Sequence, residues 1–268
     1  MGGFKEMNKI TVLLTVGMIF LLIGTVTASS VQYNSITTVT NNSTYNTPLG
    51  NTSYGNVVKV GPFGNKSSNI KIAYIVGVHP LESNAHQAII ESITEHNNSL
   101  KYCYYIYRVN VTENADNYNT GRMNGQLLAN KFVVPDITSH NYQLVVDVHS
   151  NVGNWAQNTF LFSPVNNSRS ESIGKNITNK LHWLKYYVPP NPTSTVYVTE
   201  PIINSGIPAI VYETYHNDTY NTIKNHADRF LLTVDNLSIN KKNNNYTVNK
   251  WPCMASMVPL SVISIKTR

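Results

Sequence analysis

The stretch IKIAYIVGVHPLESNAHQAIIESITE, residues 70–95, decides the fold. Residues 70–78 are apolar at nearly every position, the pattern of a strand buried on both faces rather than one half-exposed at the edge of a sheet. Residues 84–95 then place Ile89, Ile90 and Ile93 on one side of a helix, with Ser83 in position to cap it. A buried strand leading directly into an amphipathic helix is the first half of a crossover unit, which joins parallel strands. His79 and Glu82 stand at the junction.

Working outward, the same alternation continues. Residues 102–111, 144–148, 159–163 and 209–212 read as strands, and residues 123–132, 170–186 and 219–234 as helices. The expected class is therefore α/β, with a mixed, largely parallel sheet flanked by helices. This domain should occupy residues 57–268. Before it, residues 29–56 are rich in Asn, Thr and Ser without a hydrophobic period and read as a linker. Residues 1–28 contain Lys5 and Lys9 followed by an uncharged apolar run, the pattern of an export signal peptide or a retained N-terminal membrane anchor. Either places the domain outside the cell or on its surface.

Charged residues make up only 13% of the chain, about half the usual share, and Asn, Ser, Thr and Tyr take up the polar work. Acceptor sequences for N-linked sugar begin at Asn41, Asn42, Asn51, Asn65, Asn97, Asn110, Asn166, Asn176, Asn217, Asn236 and Asn245, in keeping with an exported glycoprotein. The net charge of +6 comes from scattered Lys and Arg, with no basic helix or aromatic-basic platform, so a nucleic-acid partner is not expected. Cys103 and Cys253 are the only two cysteines, and an oxidising compartment would let them pair.

In open α/β sheets, ligands collect beyond the carboxyl ends of the strands. Three expected strands end in residues that bind metals or move protons: residues 70–78 lead into His79 and Glu82, residues 144–148 into His149, and residues 209–212 into Glu213. Two imidazoles and a carboxylate make a three-ligand set that leaves Zn2+ an open fourth position. Glu213 remains as the acid or base. Asp147, two residues before His149, shares its strand face and can support the ligand's outer nitrogen. An oxyanion needs a fixed positive partner, and Arg122, in an Asn-rich stretch before a helix, is the better placed of the two arginines between the ligand segments. His86, His96, His140, His182, His216 and His226 have no partner at useful spacing.

The H-x-x-E after a strand, the later arginine, the Asp-Val-His-Ser strand end and the glutamate of IPAIVYET together resemble the zinc carboxypeptidase superfamily, in particular its succinylglutamate desuccinylase and aspartoacylase branch. The resemblance covers residues 70–215. It implies a zinc carboxypeptidase-like, phosphorylase/hydrolase-like fold, with His79, Glu82 and His149 holding zinc. It also implies that Glu213 activates a zinc-bound water and that Arg122 polarises the scissile carbonyl or grips a carboxylate. Asn119-Thr-Gly-Arg122 stands where that family commonly has an adjacent Asn-Arg pair. The implied activity is hydrolysis of a terminal amide bond in a peptide or N-acyl amino acid, and an exported location favours peptides, cell-wall peptides among them. The alternative is a cell-surface binding or adhesion protein that keeps the fold without turnover.

Overall fold

One eight-stranded sheet carries the molecule. The computed structural model describes residues 45–166 and 168–239. The strands are β1 (Tyr45–Thr52), β2 (Gly55–Gly64), β3 (Lys71–Val76), β4 (Cys103–Val111), β5 (Leu144–Asn151), β6 (Phe160–Phe162), β7 (Lys185–Tyr186) and β8 (Ala209–Tyr215). Their spatial order is β1-β2-β4-β3-β5-β8-β6-β7. The central four, β4, β3, β5 and β8, run parallel, whereas β1 with β2, β2 with β4 and β6 with β8 pair antiparallel, and β7 joins β6 in parallel. The sheet is thus mixed with a parallel centre, as its nearly continuous apolar strands require.

Alternate residues of the central strands feed two cores. Ile72, Tyr74, Val146, Val148 and Ile210 pack beneath α1 (Ser83–Glu95), α4 (Arg169–Lys180) and α6 (Tyr220–Asp235). Ala73, Ile75, Val145 and Ala209 pack on the other side beneath α2 (Tyr118–Leu128), α3 (Val134–Thr138) and α5 (Thr199–Asn204). One turn of π-helix, Ala129–Val133, joins α2 to α3. By the same alternation Asp147, His149 and Glu213 belong to the second face.

Several expectations are corrected. The linker expected at residues 29–56 ends earlier, because residues 45–52 form β1 and residues 55–64 form β2, an antiparallel hairpin on the edge of the sheet. β1 buries little side-chain surface and is held by backbone pairing, so no hydrophobic alternation marks it. The helix expected at 123–132 begins at Tyr118, where Asn117 accepts from the amides of Asn119 and Thr120, so Arg122 lies on the helix rather than before it. The helix expected at 170–186 stops at Lys180, and the remainder turns to form β7, with Trp183 stacked on His226 at 3.8 Å between ring centroids. Ser83 is the first residue of α1, and the capping position belongs to Glu82, whose side chain makes no cap bond. The expected leader at 1–28, residues 29–44 of the linker, the tail from 240 and Cys253 lie outside the described residues; Cys103 is buried. Among the described residues, no helix is long and apolar enough to cross a membrane.

One buried carboxylate fastens the first core. Asp235, in the last turn of α6, accepts from the backbone amides of Lys101 and Tyr102 at 3.0 and 3.2 Å and from the Tyr104 hydroxyl at 2.8 Å. An acid at a helix C-terminus opposes the dipole, so these three donors account for its place. Asp235→Ala is expected to destabilise the fold by about 2–4 kcal/mol, because it strands buried donors, and to leave the residues of the second face in position. Denaturant unfolding measures the first effect, and metal binding checks the second.

Candidate metal centre

The parallel register brings three distant stretches to one edge. Ile75 of β3 lies beside Asp147 of β5, and His149 lies beside Glu213 of β8. β3 ends at Val76, so His79 and Glu82 follow in the turn that enters α1. Each of His79, Glu82 and His149 offers a ligand atom within 4.8 Å of the other two, and all three residues are buried.

Glu82 is the hub. Its Oε1 is 2.9 Å from His79 Nδ1 and accepts from Arg122 at 2.8 Å. Its Oε2 is 2.9 Å from His149 Nδ1 and accepts from the Ser150 amide at 3.0 Å. Both imidazoles therefore turn Nδ1 inward. The outer nitrogens face neighbours too: His79 Nε2 is 3.1 Å from Gln126 Nε2, and His149 Nε2 is 3.1 Å from Asp147 Oδ1. The second approach is an ion-pair contact and not a hydrogen bond, so His149 Nε2 and both Asp147 oxygens remain without a hydrogen-bond partner.

Burial works against charge on the Glu82 carboxyl, yet the two imidazoles overcome it and hold its pKa well below the ordinary range. Burial brings His79 down to about 4. For His149 burial also acts downward, but the Asp147 and Glu82 carboxylates prevail and raise it. Glu213 is pushed up to about 7, chiefly by burial, and its Oε2 is sealed from solvent with no hydrogen-bond partner. Glu213 and His149 are close enough that each influences the other's charge.

The residues present fit a divalent ion. A compact His-Glu-His set with both rings directed inward matches the donor chemistry of zinc, and the outer nitrogens face groups able to fix the rings. The unpartnered Asp147 oxygens are accounted for once His149 gives Nδ1 to a metal, because the ring proton then lies on Nε2, facing Asp147.

Arg122 reaches the centre through Glu82, with its guanidinium carbon 4.9 Å from the centre of the Tyr118 ring. A cleft of about 460 Å³ opens beside it, lined by Asn119, Arg122, Met123, Gln126, Thr193, Val196 and Tyr197. Arg122 and Gln126 touch Glu82 and His79, so the cleft adjoins the centre. The structure thus gathers His79, Glu82, Asp147, His149 and Arg122, with Glu213 on the neighbouring strand. Sequence reasoning missed Gln126, whose signal is its place one helical turn after Arg122. His86, expected to lie outside the ligand set, is buried and hydrogen-bonds the Val148 carbonyl oxygen at 3.1 Å, one residue before His149.

No known family profile matches the chain, and no curated protein matches it. Among solved structures, it is similar to a metallo-carboxypeptidase from Pseudomonas aeruginosa in complex with (2-guanidinoethylmercapto)succinic acid, at 16% identity and a TM-score of 0.49, over 71% of this chain and 62% of that one. It is similar to a metallo-carboxypeptidase from Burkholderia cenocepacia at 10% identity and a TM-score of 0.47, over 72% and 64% of the two chains. A third similar structure is the tripeptide-bound cell shape determinant Csd4 of Helicobacter pylori, at 9% identity and a TM-score of 0.47, over 67% and 54%. The chain therefore spans less than two-thirds of the length of each of these proteins.

Proposed function

We propose that this chain is an exported or surface-held zinc-dependent hydrolase that cleaves a terminal amide bond of a peptide or N-acyl amino acid. The observation that carries the reading is the buried convergence of His79, Glu82 and His149, with Glu213 on the adjacent strand and a cleft alongside. His79, Glu82 and His149 would hold the ion; when bound, zinc polarises a carbonyl and makes water more acidic.

Glu213 has the position and environment of the proton carrier. Its carboxylate accepts a proton from the attacking water as the carbon–oxygen bond forms, and passes it to the departing nitrogen as the carbon–nitrogen bond breaks. Arg122 uses one N–H on Glu82 and has others for an oxyanion or a substrate carboxylate in the cleft. Asp147 and Glu82 keep the His149 ring from turning. The leader-like segment and the sugar acceptor sequences support an extracellular or cell-surface location, and with it a peptide substrate, cell-wall peptides among them.

Metal analysis of the full chain tests this reading. One zinc per chain is expected in the wild type, and His149→Ala should weaken binding by more than the roughly 10–100-fold lost when an outer partner is removed. Hydrolysis of N-acyl amino acids and of peptides with free or amidated C-termini should require zinc. Wild-type protein that takes up no zinc, or takes it up equally after His149→Ala, ends the proposal.

A further inference from the structure

Gln126 lines the cleft beside Arg122, and its amide touches the ring of His79. Gln126 is buried, at 5% exposure. Its helix is brought unusually near the His79 turn by two glycines one helical turn apart: a Cβ at Gly125 would lie 1.9 Å from the Val78 carbonyl oxygen, and one at Gly121 would lie 2.8 Å from the Asn114 carbonyl oxygen and 3.2 Å from Pro80. The same helix sends Arg122 to Glu82.

The two histidines have different outer partners. His149 faces a carboxylate, Asp147, which can only accept. His79 faces a carboxamide, which offers a donor and an acceptor from nearly the same place. The Gln126 amide nitrogen donates to His79 Nε2, which places the ring hydrogen on Nδ1 toward Glu82. With Nδ1 given to a metal, the hydrogen lies on Nε2, and the amide needs only to turn over and accept through Oε1. We infer that Gln126 is the positioning residue of His79, an amide that satisfies the ring in both of its tautomers and thereby fixes Nδ1 toward the metal position from the wall of the substrate cleft.

This inference rests on the metal-centre reading, and one experiment separates their failures. Zinc affinity of the full chain is measured by competition with a chromophoric chelator at fixed pH for the wild type and for Gln126→Leu, Gln126→Glu and His79→Ala, with melting of each metal-free protein recorded alongside. Gln126→Leu, which fills the same space without an acceptor, should bind zinc about 10–100-fold more weakly at little change in melting temperature. Gln126→Glu keeps an acceptor for the metal-loaded tautomer and should bind as tightly as the wild type or more so. Wild-type affinity in Gln126→Leu, together with loss in His79→Ala, overturns the role of Gln126 and leaves the centre standing. Wild-type affinity in His79→Ala overturns the centre itself. Should Gln126→Leu melt far below the wild type, Gln126→Glu decides: affinity below the wild type's overturns the inference.

Discussion

Glu213→Gln is expected to retain zinc and to lower kcat by about 10²–10⁴-fold, the contribution typical of one positioned acid–base group. The substitution keeps the shape of the side chain and removes only its ability to take and return a proton. Stability should move the other way. Burial raises the Glu213 carboxyl from its ordinary 4.5 to about 7. A raised carboxyl contributes stability that is fully present below about pH 4.5, is lost as the pH rises to about 7, and does not change further beyond it. A difference of this size corresponds to roughly 3 kcal/mol at most. Gln has no such loss, so with chelator present Glu213→Gln should unfold at higher denaturant than the wild type at pH 8 and at nearly the same concentration at pH 4.5. A zinc-loaded Glu213→Gln protein turning over within tenfold of the wild type would remove Glu213 from the mechanism.

That pairing of lost turnover with gained stability also shows what the sequence could and could not disclose. Parallel strands deliver their carboxyl ends to one edge, so His149 and Glu213 were legible from strand ends alone, as was the His79–Glu82 pair at the first crossover. Asp147 was legible because strand residues two apart share a face. Gln126 was not, since a neutral amide on a helix acquires meaning only through how closely that helix docks. Glu82 illustrates a similar limit: local capping rules favoured Ser83, and the pairing of the Glu82 carboxylate with a guanidinium 40 residues away left no local sign. The edge hairpin escaped notice for the opposite reason, as β1 is held by backbone pairing that leaves no side-chain pattern.

Helix docking leads to the other large effect, at Gly125. In an ordinary helix Gly→Ala stabilises by about 1 kcal/mol. Here the added methyl would meet the Val78 carbonyl oxygen at 1.9 Å, and the obstacle is backbone, with no flexible side chain to move aside. α2 must therefore withdraw by an ångström or more. Its hydrogen bonds from Arg122 to Glu82 and from Gln126 to His79 measure 2.8 and 3.1 Å, and a withdrawal of that size breaks both. Gly125→Ala is thus expected to destabilise the fold by about 1–3 kcal/mol, the usual cost of overpacking, and to weaken zinc by about 10²-fold or more, because two of the groups that orient the ligands leave together. Leu127→Ala, at an exposed position of the same helix outside the cleft, should do neither. The pair of variants separates close docking from helix propensity: a Gly125→Ala protein that is more stable than the wild type and binds zinc equally well would mean that α2 does not hold the centre in shape.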